Sequence, residues 1–269
     1  VQIYTYNLGG NVLKKIQGLD TFYCSYGDKG DYLLILHGWG VDTSTMMPII
    51  RILSKNYRVI AFDFPFHGGT EMPGTDWTVK DFADFTLDFI KQMGIEGCHV
   101  LAHSFGARVA VEIASAKPDV FNRIILTGAA GIKRKATPIQ KYRLYRYKFI
   151  NVVLSLISKL PVLGKHVQRI CDSHRRAHSS EDYLALKEGM HNTFKNIISH
   201  DQRALLPKIK NSVLLIWGRD DNETPLWMAN VFNTEIQNSR LVIMQGGHFA
   251  FNSYPDAFCD FCLDFLEEA

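Results

Sequence analysis

Long hydrophobic runs are the first thing this chain lacks. No stretch of its 269 residues reaches the length of a membrane span. The longest apolar-rich stretch, Phe149 to Leu163, is interrupted by Asn151, Lys159 and Pro161. The first twenty residues do not show the basic-then-apolar order of a secretory signal. Cysteine is sparse: Cys24, Cys98, Cys171, Cys259 and Cys262 are odd in number, scattered, and mostly set in apolar runs. That usage argues against a disulfide framework and leads to the expectation of reduced, buried thiols in a cytoplasmic protein. Cys259 and Cys262 share a C-x-x-C spacing on a helical pattern, but no second pair or nearby histidine completes a metal set. Internal repeats and low-complexity tracts are absent as well.

What is present is ordinary globular composition, 46 % apolar, enough for one large core. The net charge of +3 conceals a sharp asymmetry. Twelve lysines and arginines fall between Lys133 and Arg176 against a single acid, Asp172. The rest of the chain is acidic on balance, so this span reads as an insertion with its own task.

In chain order, Ile3 to Asn7 and Thr21 to Tyr26 read as two opening strands, paired as an antiparallel hairpin or edge. Tyr32 to Leu36 is a continuous apolar run, the pattern of a strand buried on both faces. Ser44 is the expected cap of a helix reaching about Leu53. Tyr57 to Phe62 is the next strand. Thr78 with Asp81 forms a capping box ahead of a helix that carries Phe82, Phe85, Phe89 and Met93 at core spacing and stops at Gly94. Cys98 to Ala102 and Arg123 to Thr127 are further buried strands. Strand–helix alternation then breaks for about seventy residues, all helix-like, including Glu181 to His200. It resumes with Val213 to Trp217, a helix from Pro225, the strand Arg240 to Met244, and a last helix from Pro255. The fold class that follows is α/β: a mostly parallel sheet covered by helices on both faces.

The stretch Ala102-His103-Ser104-Phe105-Gly106 sits where a strand turns directly into a helix. Such a turn needs small residues two places either side of its centre, here Ala102 and Gly106. It leaves Ser104 strained, with its hydroxyl clear of the sheet at the positive end of the helix. In a sheet of this kind, reactive groups collect at the carboxyl ends of the strands. Three further loops fall there. His37-Gly38-Trp39-Gly40 offers the backbone N–H of Trp39 as an oxyanion donor beside that of Phe105. Gly218 to Pro225 contains adjacent Asp220 and Asp221, either of which can orient a base. Gly246-Gly247-His248 supplies the histidine after the final strand.

With these motifs the chain resembles the α/β-hydrolase-fold proteins, in particular small esterase- and lipase-like members with a helical lid. The resemblance spans nearly the whole chain outside the insertion. It is carried by His37-Gly38, by the small-x-Ser-x-Gly turn, by Gly218-x-x-Asp221-x-x-x-Pro225, and by Gly247-His248. The family's D-x-P-G-x-G-x-S segment is kept only in part, as Asp63-Phe64-Pro65-Phe66-His67-Gly68-Gly69-Thr70. The resemblance implies a three-layer α/β/α sandwich with an eight-stranded sheet, a core of residues 1–130 and 201–269, and a lid of residues 131–200. It favours Asp221 over Asp220, and so a catalytic triad of Ser104, Asp221 and His248.

A serine hydrolase follows as the expectation, acting on a small carboxylic ester or thioester without metal or cofactor. The same triad on this fold also serves carbon–carbon bond hydrolysis or a cofactor-free elimination, and some homologues only bind a ligand. His103, Tyr142 and Tyr145 are the candidate substrate contacts. The basic insertion suggests an acyl substrate that is anionic or presented at a membrane surface, and nucleic acid is not expected as a partner. His166, His174, His178, His191 and His200 lie in the insertion without a carboxylate-bearing metal pattern. Oligomeric state leaves no trace in the sequence.

Overall fold

Eight strands form one sheet in this computed structural model, which describes residues 12–133, 139, 142, 146, 186 and 189–268. They are β1 (Val12–Ile16), β2 (Leu19–Tyr26), β3 (Tyr32–Leu36), β4 (Arg58–Phe62), β5 (Cys98–His103), β6 (Phe121–Thr127), β7 (Val213–Gly218) and β8 (Ser239–Met244). Their spatial order is β1-β2-β4-β3-β5-β6-β7-β8. Only β1 with β2 and β2 with β4 pair antiparallel; β3 to β8 run parallel. The carboxyl ends of β3 to β8 therefore share one rim, with β5 in the middle.

The chain folds this way because its apolar periods change from two to three and four where expected. Alternate strand residues such as Leu33, Ile35, Val59, Ala61, Leu214 and Ile216 join one buried cluster. Met46, Ile49 and Leu53 of α1 (Thr43–Leu53) and Phe258, Cys262 and Leu266 near the C-terminus enter the same cluster. On the other side of β4, Phe62 stacks against Phe85 and Phe89 of α2 (Val79–Met93). α2 is bounded as its sequence demands. Asp81 Oδ2 accepts from the Thr78 backbone N–H at 2.7 Å, and Gly94 ends the helix at φ 65°. α3 (Phe105–Ala116) follows the central strand. Further α-helices bounded within the described residues are α4 (His191–Ser199), α5 (Leu226–Glu235), α6 (Ala250–Ser253) and α7 (Pro255–Glu267). The sheet thus carries helices on both faces, which is the α/β/α sandwich.

Several details differ from the sequence reading. The hairpin partner of β2 is Val12–Ile16, turned through Gln17 and Gly18 at φ 48° and 85°. Val-Leu-Lys-Lys-Ile alternates poorly, which hid it; Ile3 to Asn7 lies outside the described residues. Asp42, not Ser44, caps α1, accepting from the Ser44 N–H at 2.9 Å. Of the helix read from Glu181 to His200, α4 covers His191–Ser199, preceded by Gly189 in the left-handed region at φ 86°; residues 181–185, 187 and 188 lie outside the described residues. Cys24, Cys98, Cys259 and Cys262 are buried and free, and burial pushes the Cys24, Cys98 and Cys259 thiols up to about 12. Cys171 lies outside the described residues.

The chain divides into two units, Val1–Ile132 with Lys195–Ala269, and Lys133–Phe194. In the second, Ile139, Tyr142 and Arg146 are helical and exposed. Among the described residues no helix is long and apolar enough to cross a membrane.

Gly106 shows how little space the central turn leaves. A Cβ there would stand 2.5 Å from the Leu36 carbonyl oxygen and 2.7 Å from that of His37. Gly106→Ala should therefore lower stability in urea unfolding by roughly 2 kcal/mol. Gly74→Ala, which meets nothing within 4 Å, should change it by less than about 0.5 kcal/mol.

Candidate active site

Ser104 stands between β5 and α3 with φ 51° and ψ −107°, one of three non-glycine residues with positive φ among the described residues. A serine stays there only because its surroundings hold it. Its N–H donates to the Thr127 carbonyl at 3.1 Å, and its own carbonyl accepts from the Ala130 N–H at 3.3 Å. The Gly106 N–H donates to the His37 carbonyl at 3.1 Å, tying the turn to the loop after β3. Strands on both sides of β5 thus clamp the serine.

The loop after β3 is braced from within. His37 Nε2 accepts from the Phe64 N–H at 2.9 Å, which leaves Nδ1 to donate to the Gly38 carbonyl at 2.7 Å. Burial lowers the His37 pKa to about 4, against the opposing pull of that carbonyl. The Trp39 and Phe105 rings meet edge to face at 5.3 Å, so the two residues expected to supply oxyanion donors lock each other in place. The Phe105 N–H opens α3 and has no acceptor within its own helix. Asp63 holds the next loop, accepting from the Thr43 N–H at 2.9 Å and the Gly69 N–H at 2.8 Å. The retained part of the D-x-P segment is therefore an internal brace.

The loops after β7 and β8 are zipped together. The Asp220 N–H donates to the Gly246 carbonyl at 2.9 Å, and a Cβ on Gly218 would lie 2.2 Å from the Gly247 carbonyl oxygen. Between them His248 Nδ1 meets Asp221 Oδ2 at 2.8 Å, with both side chains buried. Asp220 is exposed. Burial pushes the Asp221 pKa up, but hydrogen bonds from His248 and Thr224 prevail and hold it below the usual carboxylate value. The His248 ring lies 4.6 Å from that of His103, beside the serine, and a Cβ on Gly128 would sit 3.0 Å from His248 Nδ1. Gly128 adjoins Thr127, the partner of Ser104. The imidazole and the serine accordingly belong to one short stretch of rim. Among the described residues no hydrogen bond joins them; His248 Nε2 instead has Glu223 Oε2 at 3.3 Å.

Of the expected substrate contacts, His103 is wholly buried, Tyr142 is 66 % exposed in the second unit, and Tyr145 lies outside the described residues. The sequence reading missed Thr224. Its N–H and hydroxyl donate to the two Asp221 oxygens, each at 2.8 Å, and the hydroxyl lies 3.3 Å from His248 Nδ1. The local signal was partial: an aspartate side chain commonly bonds the N–H two residues on, here that of Glu223 at 2.9 Å, and the same turn brings Thr224 to it. Gly128 was also missed, since only the fold reveals that a side chain there would strike the imidazole.

A sequence model of the alpha/beta hydrolase fold matches residues 31–253. An uncharacterized hydrolase of Bacillus subtilis is 22 % identical, over 94 % of this chain and 96 % of its own length. A 2-hydroxy-6-oxo-6-(2'-aminophenyl)hexa-2,4-dienoic acid hydrolase of Metapseudomonas resinovorans is 25 % identical, over 93 % and 88 %. Among solved structures, an enol-lactonase from Burkholderia xenovorans superposes with a TM-score of 0.73 at 21 % identity, over 96 % of this chain and all of that one.

The buried histidines make stability depend on pH. Burial, reinforced by nearby His248, lowers the His103 pKa to about 3. As pH falls through about 6.5 the unfolded chain takes up the proton first, so stability is full above that value and declines toward the folded pKa. His103→Gln, which keeps a donor for the Thr127 carbonyl, should lose about 2 kcal/mol less than the parent between about pH 7 and about pH 4.5 in urea unfolding. Parallel losses in the two proteins would contradict the neutral, buried ring.

Proposed function

This chain belongs to the α/β-hydrolase-fold family, and we propose that it is a serine hydrolase with Ser104 as nucleophile, His248 as general base and Asp221 as its orienting acid. The observation that carries the reading is the pairing of a strained serine at the head of α3 with a buried aspartate–histidine pair on the same rim.

The favoured substrate is a carboxylic ester or thioester of a small acyl group. Ser104 Oγ attacks the carbonyl carbon as its proton passes to His248 Nε2. The backbone N–H groups of Trp39 and Phe105 hold the resulting oxyanion. Collapse expels the alcohol or thiol, which takes the proton from His248. Water, deprotonated by the same nitrogen, then releases the acid and restores the serine. The serine–imidazole contact forms as substrate enters, since such contacts are commonly loose without ligand. Asp221 keeps Nδ1 protonated, so Nε2 presents its lone pair.

A second reading, hydrolysis of a carbon–carbon bond, is favoured by the relative named for a dienoic acid. It would use the same three residues. A panel of chromogenic esters of rising acyl length, run beside a 2-hydroxy-6-oxo-dienoic acid, separates the two by which class is consumed. In either case a fluorophosphonate probe should label the protein and fail to label Ser104→Ala. That variant's kcat should fall by roughly 10⁴-fold or more. Undiminished labelling or turnover in Ser104→Ala would refute the assignment.

A further inference from the structure

The His248 imidazole lies between two carboxylates of one loop. Asp221 takes Nδ1 at 2.8 Å, and Glu223 Oε2 stands 3.3 Å from Nε2. The loop's own hydrogen bonds account for this arrangement. Asp221 Oδ1 accepts from the N–H groups of Glu223 at 2.9 Å and Thr224 at 2.8 Å, closing a tight turn. The turn that aims Asp221 Oδ2 at one ring nitrogen therefore brings the next acidic side chain round to the other.

The two carboxylates are in different situations. Asp221 is buried and its oxygens are occupied by Thr224, the Glu223 N–H and the imidazole. The Glu223 side chain is 62 % exposed, at the solvent border of the site. Among the described residues no lysine or arginine forms an ion pair with it. Under the serine hydrolase reading, on which this inference rests, Nε2 is the nitrogen that serves nucleophile and leaving group. A negative charge 3.3 Å from it stands where substrate must come.

We infer that Glu223 sets the charge preference of the site, favouring uncharged acyl groups over those that bear a carboxylate of their own. Like charges a few ångströms apart repel, and partial exposure and salt moderate the effect. The sequence expectation of an anionic substrate came from residues 133–176, most of which lie outside the described residues. The charge that stands beside Nε2 has the opposite sign. It also weighs against acidic substrates for carbon–carbon cleavage.

The test compares p-nitrophenyl hexanoate with mono-p-nitrophenyl adipate, matched in chain length but for a terminal carboxylate. The ratio of their kcat/KM values is measured for the parent protein, Glu223→Gln and Glu223→Asp. Glu223→Gln should raise the ratio in favour of the adipate by about threefold, mainly through KM, and the gain should shrink at high ionic strength. Glu223→Asp should keep the parent's ratio. If Glu223→Gln leaves the ratio unchanged while both esters are hydrolysed in a Ser104-dependent way, the charge preference is overturned and the hydrolase reading stands. If the parent protein consumes neither ester and takes up no fluorophosphonate, the hydrolase reading falls and this inference falls with it.

Discussion

A serine held at φ 51° is the constraint around which the rest of this structure is arranged. Positive φ costs an L-residue on the order of 1–3 kcal/mol, so the backbone keeps it only under restraint from several sides. That restraint comes from the loop after β3 through Gly106 and from the end of β6 through Thr127 and Ala130. The strand order makes this possible, because β3 and β6 are the two neighbours of β5. Glycine at position 106 is then a packing necessity, as the carbonyls of Leu36 and His37 leave no room for a methyl group.

The second requirement is that a histidine from the far end of the chain reach the same place. Gly218 lets the last two rim loops approach within backbone contact, and Gly128 leaves a gap that the imidazole fills. Asp221 and Thr224 then fix the ring by a small network in which each Asp221 oxygen is occupied. The network is buried and satisfied, which makes it stiff and intolerant of the loss of one member. His103 and His37, stripped of solvent, stay neutral and serve as packing and bracing groups.

Much of this was legible in the residues alone. Continuous apolar runs announced β3, β5 and β7 because strands buried on both faces need no alternation. Small residues flanking Ser104, and the glycines beside Asp221 and His248, marked the places where backbones must approach closely. The choice between Asp220 and Asp221 needed either the family pattern or the fold, since chemistry alone treats two neighbouring aspartates alike. Val12–Ile16 was obscured because an edge strand can carry lysines without an apolar face. Thr224 and Gly128 were overlooked for a different reason. The role of Gly128 exists only once it meets His248 from the far end of the chain, and that of Thr224 only once the loop after β8 brings His248 to Asp221, and sequence spacing records neither meeting. Glu223 belongs with them, its closeness to the imidazole being a product of the turn that Asp221 closes.

The central claim is that Ser104, His248 and two backbone donors act on one carbonyl group. A high-resolution crystal structure of the protein after reaction with a small fluorophosphonate tests it most directly. The account predicts phosphorus bonded to Ser104 Oγ, the phosphonyl oxygen within hydrogen-bond distance of the Trp39 and Phe105 N–H groups, and His248 Nε2 turned to the adduct. An adduct on another residue, or a phosphonyl oxygen pointing away from both N–H groups, would contradict it.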